Sequence, residues 1–365
     1  MKIIKKIGQG ITRIENNKQS IKKRIEVIRY GIENGLNFID TAPSYGNGLS
    51  EKITGEAIRD IRKKCFIATK FYPSEIYTKK KISESVYRSL DNLKTDYIDL
   101  LQIHWPNLLV ENKEIAEQLD YLYQKKIIKN IGVSNYSENQ IININCDLRR
   151  KIFSNQQQYN LLFNDSYTKF YKKNKIFFIG YSPLNNGYIA TSQKQYNFLK
   201  KLSKKYSVSV ATIAFSYLLN KGKNIILVSK MSSLIHIDEA KTACEFKLKN
   251  NEINKIEQLK TNKIRQISTS KISLKSKVKN KIAYKNLLES IKNKLGLFPS
   301  TNSMSIYFKQ KNILPIRVKK IFSKKYSYIL DDYDFFDQVK KFWGWKHAYA
   351  NRKIPAYVIS KFNKH

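Results

Sequence analysis

Through about residue 262 this chain alternates short apolar runs with longer amphipathic ones. The short runs lie near Lys6–Gly8, Asn37–Asp40, Phe66–Lys70, Tyr97–His104, Lys129–Ser134, Phe153–Gln158, Phe177–Tyr181 and Ile225–Ser229. Each is short enough to be a strand, and near-continuous apolar runs of that length suit strands covered on both faces. Between them apolar residues recur at helical spacing. Ile21, Ile25, Ile28 and Ile32 make one face, and Leu49, Ile53 and Ala57 the next. Ile82, Val86, Leu90 and Leu93 make a third, and Ile115, Leu119 and Leu122 a fourth. Further helices fit around 137–146, 166–174, 194–206 and 211–220. Strand–helix units repeated eight times in this length make an α/β chain, and the arithmetic is that of a (β/α)8 TIM barrel. A doubly wound sheet is the alternative. It is weakened because Gly8-Gln9-Gly10 is only a fragment of the phosphate-binding GxGxxG turn such a sheet would carry after its first strand.

Polar residues stand at the ends of three successive apolar runs. Asp40 closes the run from Leu36, Lys70 closes the run from Phe66, and His104 closes the run from Tyr97. Tyr45 follows Asp40 by five residues. In a barrel all of these gather on the face where the C-terminal strand ends carry the chemistry. A lysine is expensive to bury unless an acid holds it, so Lys70 implies Asp40 as its partner. Such a cation beside a phenol favours the phenolate, whose unperturbed pKa is ~10, and a histidine can orient a substrate oxygen. The set is a device for moving a proton to or from an oxygen near neutral pH. Taken singly, each residue has a plain structural reading: His104 as a satisfied core histidine, Asp40 as a helix cap, Tyr45 as loop packing.

The formal net charge of +39 has two readings: a polyanionic partner, or a composition in which Lys, Asn and Ile are abundant together all along the chain, as an A/T-rich coding sequence gives. No single Arg-rich tract stands out, which favours the second, and nucleic acid is not the expected partner. Cys65, Cys146 and Cys244 lie far apart with no CxxC pair. That pattern suits reduced thiols in a cytoplasmic protein and no metal site. No apolar stretch approaches the ~20 residues of a membrane span, and no signal-peptide run opens the chain.

Composition shifts near residue 263. The stretch 268–281 is Ser- and Lys-rich, the look of a solvated linker or basic helix. Beyond it 284–295 reads as helical, and the tail from 326 is aromatic-rich, with Phe335, Phe336, Phe342, Trp343 and Trp345 among its members. That is too apolar for a disordered tail. The expected division is therefore a barrel over 1–262 and a small basic, aromatic-rich C-terminal extension over 263–365. Roughly half of the net positive charge lies in the extension.

The motifs resemble the aldo-keto reductase family over about residues 1–262. The segment Gly35-Leu-Asn-Phe-Ile-Asp40-Thr-Ala-Pro-Ser-Tyr45-Gly-Asn-Gly-Leu-Ser-Glu51 is similar to that family's signature. Ala68-Thr-Lys70, Leu101-Gln-Ile-His104-Trp-Pro106, Ile131-Gly-Val-Ser134-Asn135, Asn155-Gln156 and Gly180-Tyr181-Ser182-Pro-Leu184 follow in the family's order. The resemblance implies a (β/α)8 barrel that binds a nicotinamide dinucleotide and reduces an aldehyde or ketone, or oxidises the alcohol. It makes Tyr45 the general acid, Lys70 with Asp40 the group that tunes it, and His104 the group that orients the carbonyl. Ser134, Asn135 and Gln156 would hold the nicotinamide carboxamide, Tyr181 would stack on the ring, and Ser182 and Leu184 would contact the pyrophosphate. An amide head group needs paired donors and acceptors, and a flat ring stacks on an aromatic, so the residue types suit these roles.

There are departures from the family pattern. In the loop after the last strand Lys230 stands where a phosphate-binding lysine would, but His236 replaces an expected Arg and Ala240 an expected Asn. NADP is the expected cofactor, with NAD the alternative. The chain enters its first strand almost at once, so the hairpin that usually underlies the barrel in that family is expected to be missing. Short loops after His104 and Tyr181 suggest an open site for a small polar or sugar-like carbonyl substrate. Glu51 belongs to the first turn of a helix near the site, with a cofactor contact left open. Tyr72 and Trp105 fit either pocket lining or packing, and the Trp343–Trp345 pair fits core better than ligand platform. His347 and His365 have no recognisable partner. A second reading is a non-catalytic nucleotide-sensing barrel whose basic extension binds a polyanion or a protein. The complete tetrad argues against it.

Overall fold

In the computed structural model the described residues are 6–12, 14–71, 79–105, 112–161, 167–185, 187, 189 and 197–258. Tyr72, most of the loop after His104 and everything from 259 onward lie outside them, including the extension expected over 263–365.

Eight parallel strands close into a barrel in chain order. They are β1 (Ile7–Gly10), β2 (Phe38–Asp40), β3 (Phe66–Phe71), β4 (Leu100–Ile103), β5 (Ile131–Ser134), β6 (Ser154–Gln158), β7 (Phe177–Tyr181) and β8 (Ile225–Lys230). Closure is made by β1 against β8, with Gly8 opposite Val228 and Gly10 opposite Lys230. The outer layer comprises α1 (Lys18–Glu33), α2 (Leu49–Ile58), α3 (Lys79–Leu93), α4 (Asn112–Gln124) and α5 (Glu138–Asp147). It continues with α6 (Lys169–Lys173), α7 (Asn197–Tyr206), α8 (Val210–Leu219) and α9 (Leu234–Glu245), and a last helical stretch covers 250–258. The (β/α)8 barrel expected from the alternation is thus the fold, and the doubly wound alternative is excluded.

Some elements differ from expectation. Helix α9 and the stretch 250–258 lie outside the expected helices, and α9 takes up His236 and Ala240, which the sequence places in the loop after the last strand. The strand expected over Tyr97–His104 shrinks to Leu100–Ile103, because Ile98 makes only an isolated bridge to Ile128; His104 follows directly, its N–H still on the Phe71 carbonyl at 3.0 Å. The helix expected over 166–174 is five residues long. Thr168 starts it by accepting from the Phe170 N–H, and Asn174 ends it with its backbone N–H on the Phe170 carbonyl.

Period-2 alternation sets what faces the barrel axis. Phe38, Ala68, Leu100, Ile179, Ile226 and Val228 form one buried cluster with Phe66, and Phe153 and Phe177 pack against it. Phe38 stacks on Phe66 at 5.4 Å, and Phe153 meets Phe177 at 4.9 Å. These aromatics stand at the N-terminal ends of their strands and form the barrel floor. Two positions further along β2, β3 and β4 the inward residue changes from apolar to polar: Phe38 to Asp40, Ala68 to Lys70, Leu100 to Gln102. The floor is therefore apolar, and the opposite end is polar.

Candidate active site

Lys70 is the centre of the polar end. Its Nζ donates to both Asp40 carboxylate oxygens at 2.8 Å and to the Thr41 carbonyl at 2.8 Å, all out of contact with water. Burial, the larger effect, pulls the lysine below its ordinary range; the Asp40 carboxylate and, more weakly, Glu51 oppose that. Asp40 is itself held by two amides from across the barrel, Gln156 at 2.9 Å and Gln102 at 3.4 Å. Both donate to the same oxygen, Oδ1.

Tyr45 reaches this pair from the loop between β2 and α2. After it, Gly46, Asn47 and Gly48 all take positive φ, of 64°, 52° and 86°. Three left-handed residues in a row let the chain reverse within one turn and enter α2, a conformation that glycine adopts without strain. The Lys70 ammonium lies 5.1 Å from the Tyr45 ring centre. The His104 ring stands edge-on to the same ring at 5.8 Å. Burial pushes the His104 pKa well below the ordinary imidazole value, and the Lys70 cation pushes it the same way. Both effects favour the neutral imidazole at His104. Asp40, Tyr45, Lys70 and His104 are brought together as expected.

A second group of the expected residues sits beside them. Asn135 adopts φ 63°, its N–H donates to the Gln156 carbonyl at 2.8 Å, and its side-chain amide donates to the His104 carbonyl and to Ser134 Oγ. The Tyr181 hydroxyl donates to Asn135 Oδ1 at 3.1 Å, and burial raises the Tyr181 pKa. Ser134, Asn135, Gln156 and Tyr181 are thus one connected patch on the wall of the site. Ser182, at φ 54°, and Leu184 follow at the mouth of β7. Lys230 is exposed at the end of β8. His236 lies in the first turn of α9, where its Nδ1 faces the Ser232 N–H and hydroxyl at 3.3 and 3.2 Å.

Glu51 is fully buried in the first turn of α2 and accepts from Thr69 Oγ1 at 2.7 Å and Asn92 at 3.1 Å. Burial raises its pKa, and those hydrogen bonds oppose the rise. It ties β3, one residue before Lys70, to α2 and α3. Trp105 stacks on the His104 ring at 6.3 Å. Three residues near the site escaped the sequence reading. Gln102 donates to Asp40, and Thr41 supplies a carbonyl to Lys70. Arg24, buried in α1, donates to the Met231 carbonyl and so anchors the loop between β8 and α9. Gln102 had a legible signal, since it is the polar residue two positions before His104 and must share its face. Thr41 and Arg24 had none, because each contact is made to a backbone carbonyl, Thr41's own in one case and Met231's in the other.

The comparisons with known proteins agree with this geometry. The aldo/keto reductase family profile matches residues 6–261. An aldo-keto reductase of Bacillus subtilis (strain 168), YhdN, is 37% identical over 193 residues, a stretch covering 48% of this chain and 57% of that protein. The chain thus spans little more than half the length of that relative. The methylglyoxal reductase YeaE of Escherichia coli (strain K12) is 25% identical over 263 residues, covering 69% of this chain and 89% of the relative. Among solved structures, the thermostable aldo-keto reductase Tm1743 superposes with a TM-score of 0.65 at 28% identity, covering 70% of this chain and 95% of that one. An aldo/keto reductase of Klebsiella pneumoniae, solved with NADP and acetate, shares the fold at 22% identity, with a TM-score of 0.65 and coverage of 70% and 91%. With a matching profile over most of its length and a barrel that gathers the motif residues at one end, the chain belongs to the aldo/keto reductase family of oxidoreductases.

Proposed function

We propose that the barrel is an NADPH-dependent reductase of small polar aldehydes or ketones, with Tyr45 as its general acid, and that residues 263–365 are a separate extension. The observation that carries this reading is the buried Lys70–Asp40 pair beside the Tyr45 ring, with the His104 ring edge-on to that ring. A reduced nicotinamide, when bound, supplies the hydride that goes to the carbonyl carbon.

The chain's own residues do the rest. The Tyr45 hydroxyl gives its proton to the carbonyl oxygen as negative charge builds there. The phenolate left behind faces the Lys70 ammonium in a low-dielectric site, where the attraction is strong. Asp40, held by Gln156 and Gln102, keeps that ammonium charged and in place. His104, in the neutral form that its surroundings favour, can donate a hydrogen bond to the carbonyl oxygen without competing as an acid. No metal is needed for this polarisation, and among the described residues no three His, Cys, Asp or Glu groups gather as a metal site would require.

The residues present fit a nicotinamide dinucleotide. Ser134, Asn135 and Gln156 carry the donors and acceptors that an amide head group needs. Tyr181 offers an aromatic face at the same wall. Lys230, Ser232 and the twelve-residue α9, entered at Ser233, suit a phosphate. Several relatives are named as reductases of methylglyoxal, glyoxal and 6-dehydroglucose, which are small polar carbonyl compounds. That chemistry suits the polar end of this barrel.

The test is titration of the purified full-length chain with NADPH and NADH by nicotinamide fluorescence, followed by a panel of small aldehydes and sugars. Saturable NADPH binding and NADPH oxidation by an aldehyde are expected. Tyr45→Phe should lower turnover by about 10²–10⁴-fold while cofactor affinity stays within about twofold. Full turnover in that variant would overturn the assignment of the acid.

A further inference from the structure

Among the described residues, the loop connections at the two ends of the barrel differ in charge. At the end that carries Lys70, the connections 41–48, 135–137 and 231–233 contain no charged side chain. At the opposite end, cations cluster at the strand entries. The connection into β3 holds exposed Lys63 and Lys64, and the connection into β5 holds exposed Lys125 and Lys126. The entry to β6 reads Leu148-Arg149-Arg150-Lys151, with all three cations exposed. Lys172 and Lys173 close α6 ahead of Lys175, and Lys223 precedes β8. Other cations at this end are already neutralised: Arg62 by Asp99 at 2.8 Å, and Lys94 by Glu56. None of Lys63, Lys126, Arg149, Arg150, Lys173 and Lys175 has a carboxylate partner among the described residues.

Two ordinary explanations fall short. Helix C-termini point to this end, and a cation there offsets the helix dipole. That dipole amounts to about half a negative charge per helix, whereas these connections bring two or three whole charges each. A lysine-rich composition would charge the loop connections at both ends alike, whereas the described connections 41–48, 135–137 and 231–233 hold no charged side chain; the cations of the polar end, such as Lys18, Lys22 and Lys23, stand on a helix instead. The clustered loops are also fixed in place. Tyr97 lies between Arg62 at 3.9 Å and Lys129 at 3.5 Å, which joins the entries to β3, β4 and β5. Asn224 donates to the Ile176 carbonyl at 2.6 Å, which joins the entries to β7 and β8.

We infer that the floor end of the barrel is a docking face for a planar anionic surface, an anionic lipid membrane, with the polar end turned away from it. Geometry selects this partner. Because the strands close in chain order, cations at the entries to β3 and to β5 through β8 run around most of a circular rim. A plane meets the whole rim at once, whereas a nucleic-acid duplex, being a rod, meets a stripe and leaves opposite sides unused. Lysine, a flexible point charge, suits diffuse attraction to lipid phosphates and carboxylates, and each lysine or arginine near such a surface adds to binding. No insertion is involved, since the floor aromatics Phe153 and Phe177 are half-buried. The attachment is reversible and sensitive to salt. The inference is independent of the reductase reading.

The experiment is co-sedimentation of the full-length chain with phosphatidylcholine vesicles, with and without phosphatidylserine, over a salt series. It compares the wild type with two triple variants of equal charge loss. Lys126→Gln/Arg150→Gln/Lys173→Gln removes exposed cations from the entries to β5, β6 and β7. Lys18→Gln/Lys22→Gln/Lys23→Gln removes exposed cations from the start of α1, at the other end. A thermal melt of each variant confirms that it is folded. Expected are phosphatidylserine-dependent, salt-sensitive binding, a loss of about tenfold or more in the first variant, and a change within about twofold in the second. Equal loss in both variants would reduce the effect to net charge and overturn the inference. So would undiminished binding by the first variant, or no binding at low salt. Stronger salt-sensitive binding to a duplex oligonucleotide, lost in the first variant, would overturn it in favour of nucleic acid.

Discussion

Lys70 has three acceptors, two on Asp40 and one on the Thr41 carbonyl, and is itself buried. Removing the cation alone leaves a buried carboxylate with only amide partners. Lys70→Met should therefore destabilise the fold by about 3–5 kcal/mol, and Lys70→Met/Asp40→Asn should recover much of that loss. Denaturant melts of both variants check it; a double variant no more stable than the single would defeat the argument. His104 makes the matching case for pH. Its folded pKa lies well below that of the unfolded chain, because burial and Lys70 both disfavour the imidazolium. As pH falls below about 6.5 the unfolded chain takes up a proton that the folded chain refuses, so stability is lost toward acid and is full above that value. The slope from this one group is at most about 1.4 kcal/mol per pH unit, and it should vanish in His104→Gln. The residue types of the tetrad were legible because each ends an apolar run, where a structural reason for a lysine is hard to find. That Gln156 donates to Asp40 was not legible. An amide's partner lies across the barrel, and nothing in the chain's local pattern names it.

Helix α2 holds the site's loop to the rest of the barrel. Gly55 lies where α2 meets the end of α3, and a Cβ there would come within 2.6 Å of the Asn92 carbonyl oxygen and 2.8 Å of the Leu93 carbonyl carbon. Both are backbone atoms, so neither can rotate away. Gly55→Ala should separate the two helices and cost roughly 1–3 kcal/mol, read by thermal unfolding, and it should weaken turnover through Glu51, which joins α2 to Thr69 and Asn92. A variant as stable as the wild type would show that α3 gives way easily. The pattern of elements was readable from periodicity, but two lengths were not. The apolar run 97–104 holds a strand in its second half only, because Ile98 finds one bridge and Asp99 turns its carboxylate to Arg62 and the Ile67 N–H. The helix near 169 is short because a threonine cap and an asparagine close it within two turns.

The described residues form a barrel with an aromatic floor, a polar end that holds Lys70 and Asp40, and exposed cations at the strand entries on the far side. On the proposed reading, the loop from β8 into α9 is where the cofactor's extra phosphate would be held. Lys230 is exposed there, and Ser232 is already engaged by His236. Lys230→Met should therefore weaken NADPH binding by about tenfold and leave NADH nearly unchanged, as measured by fluorescence titration; an equal loss for both would show that the lysine does not read the extra phosphate. Much of this protein was determined by the sequence alone. Hydrophobic periodicity is a local property, so eight strand–helix units could be counted, and the polar residues closing three strands had to share one end of whatever barrel they made. Which amide steadies Asp40, that the neutral form of His104 is favoured, and that the cations of distant loops gather at one end were decided only by the tertiary structure. Those facts depend on barrel closure, which sets the distances across the axis and the depth of burial, and neither is a property of any single segment of the chain.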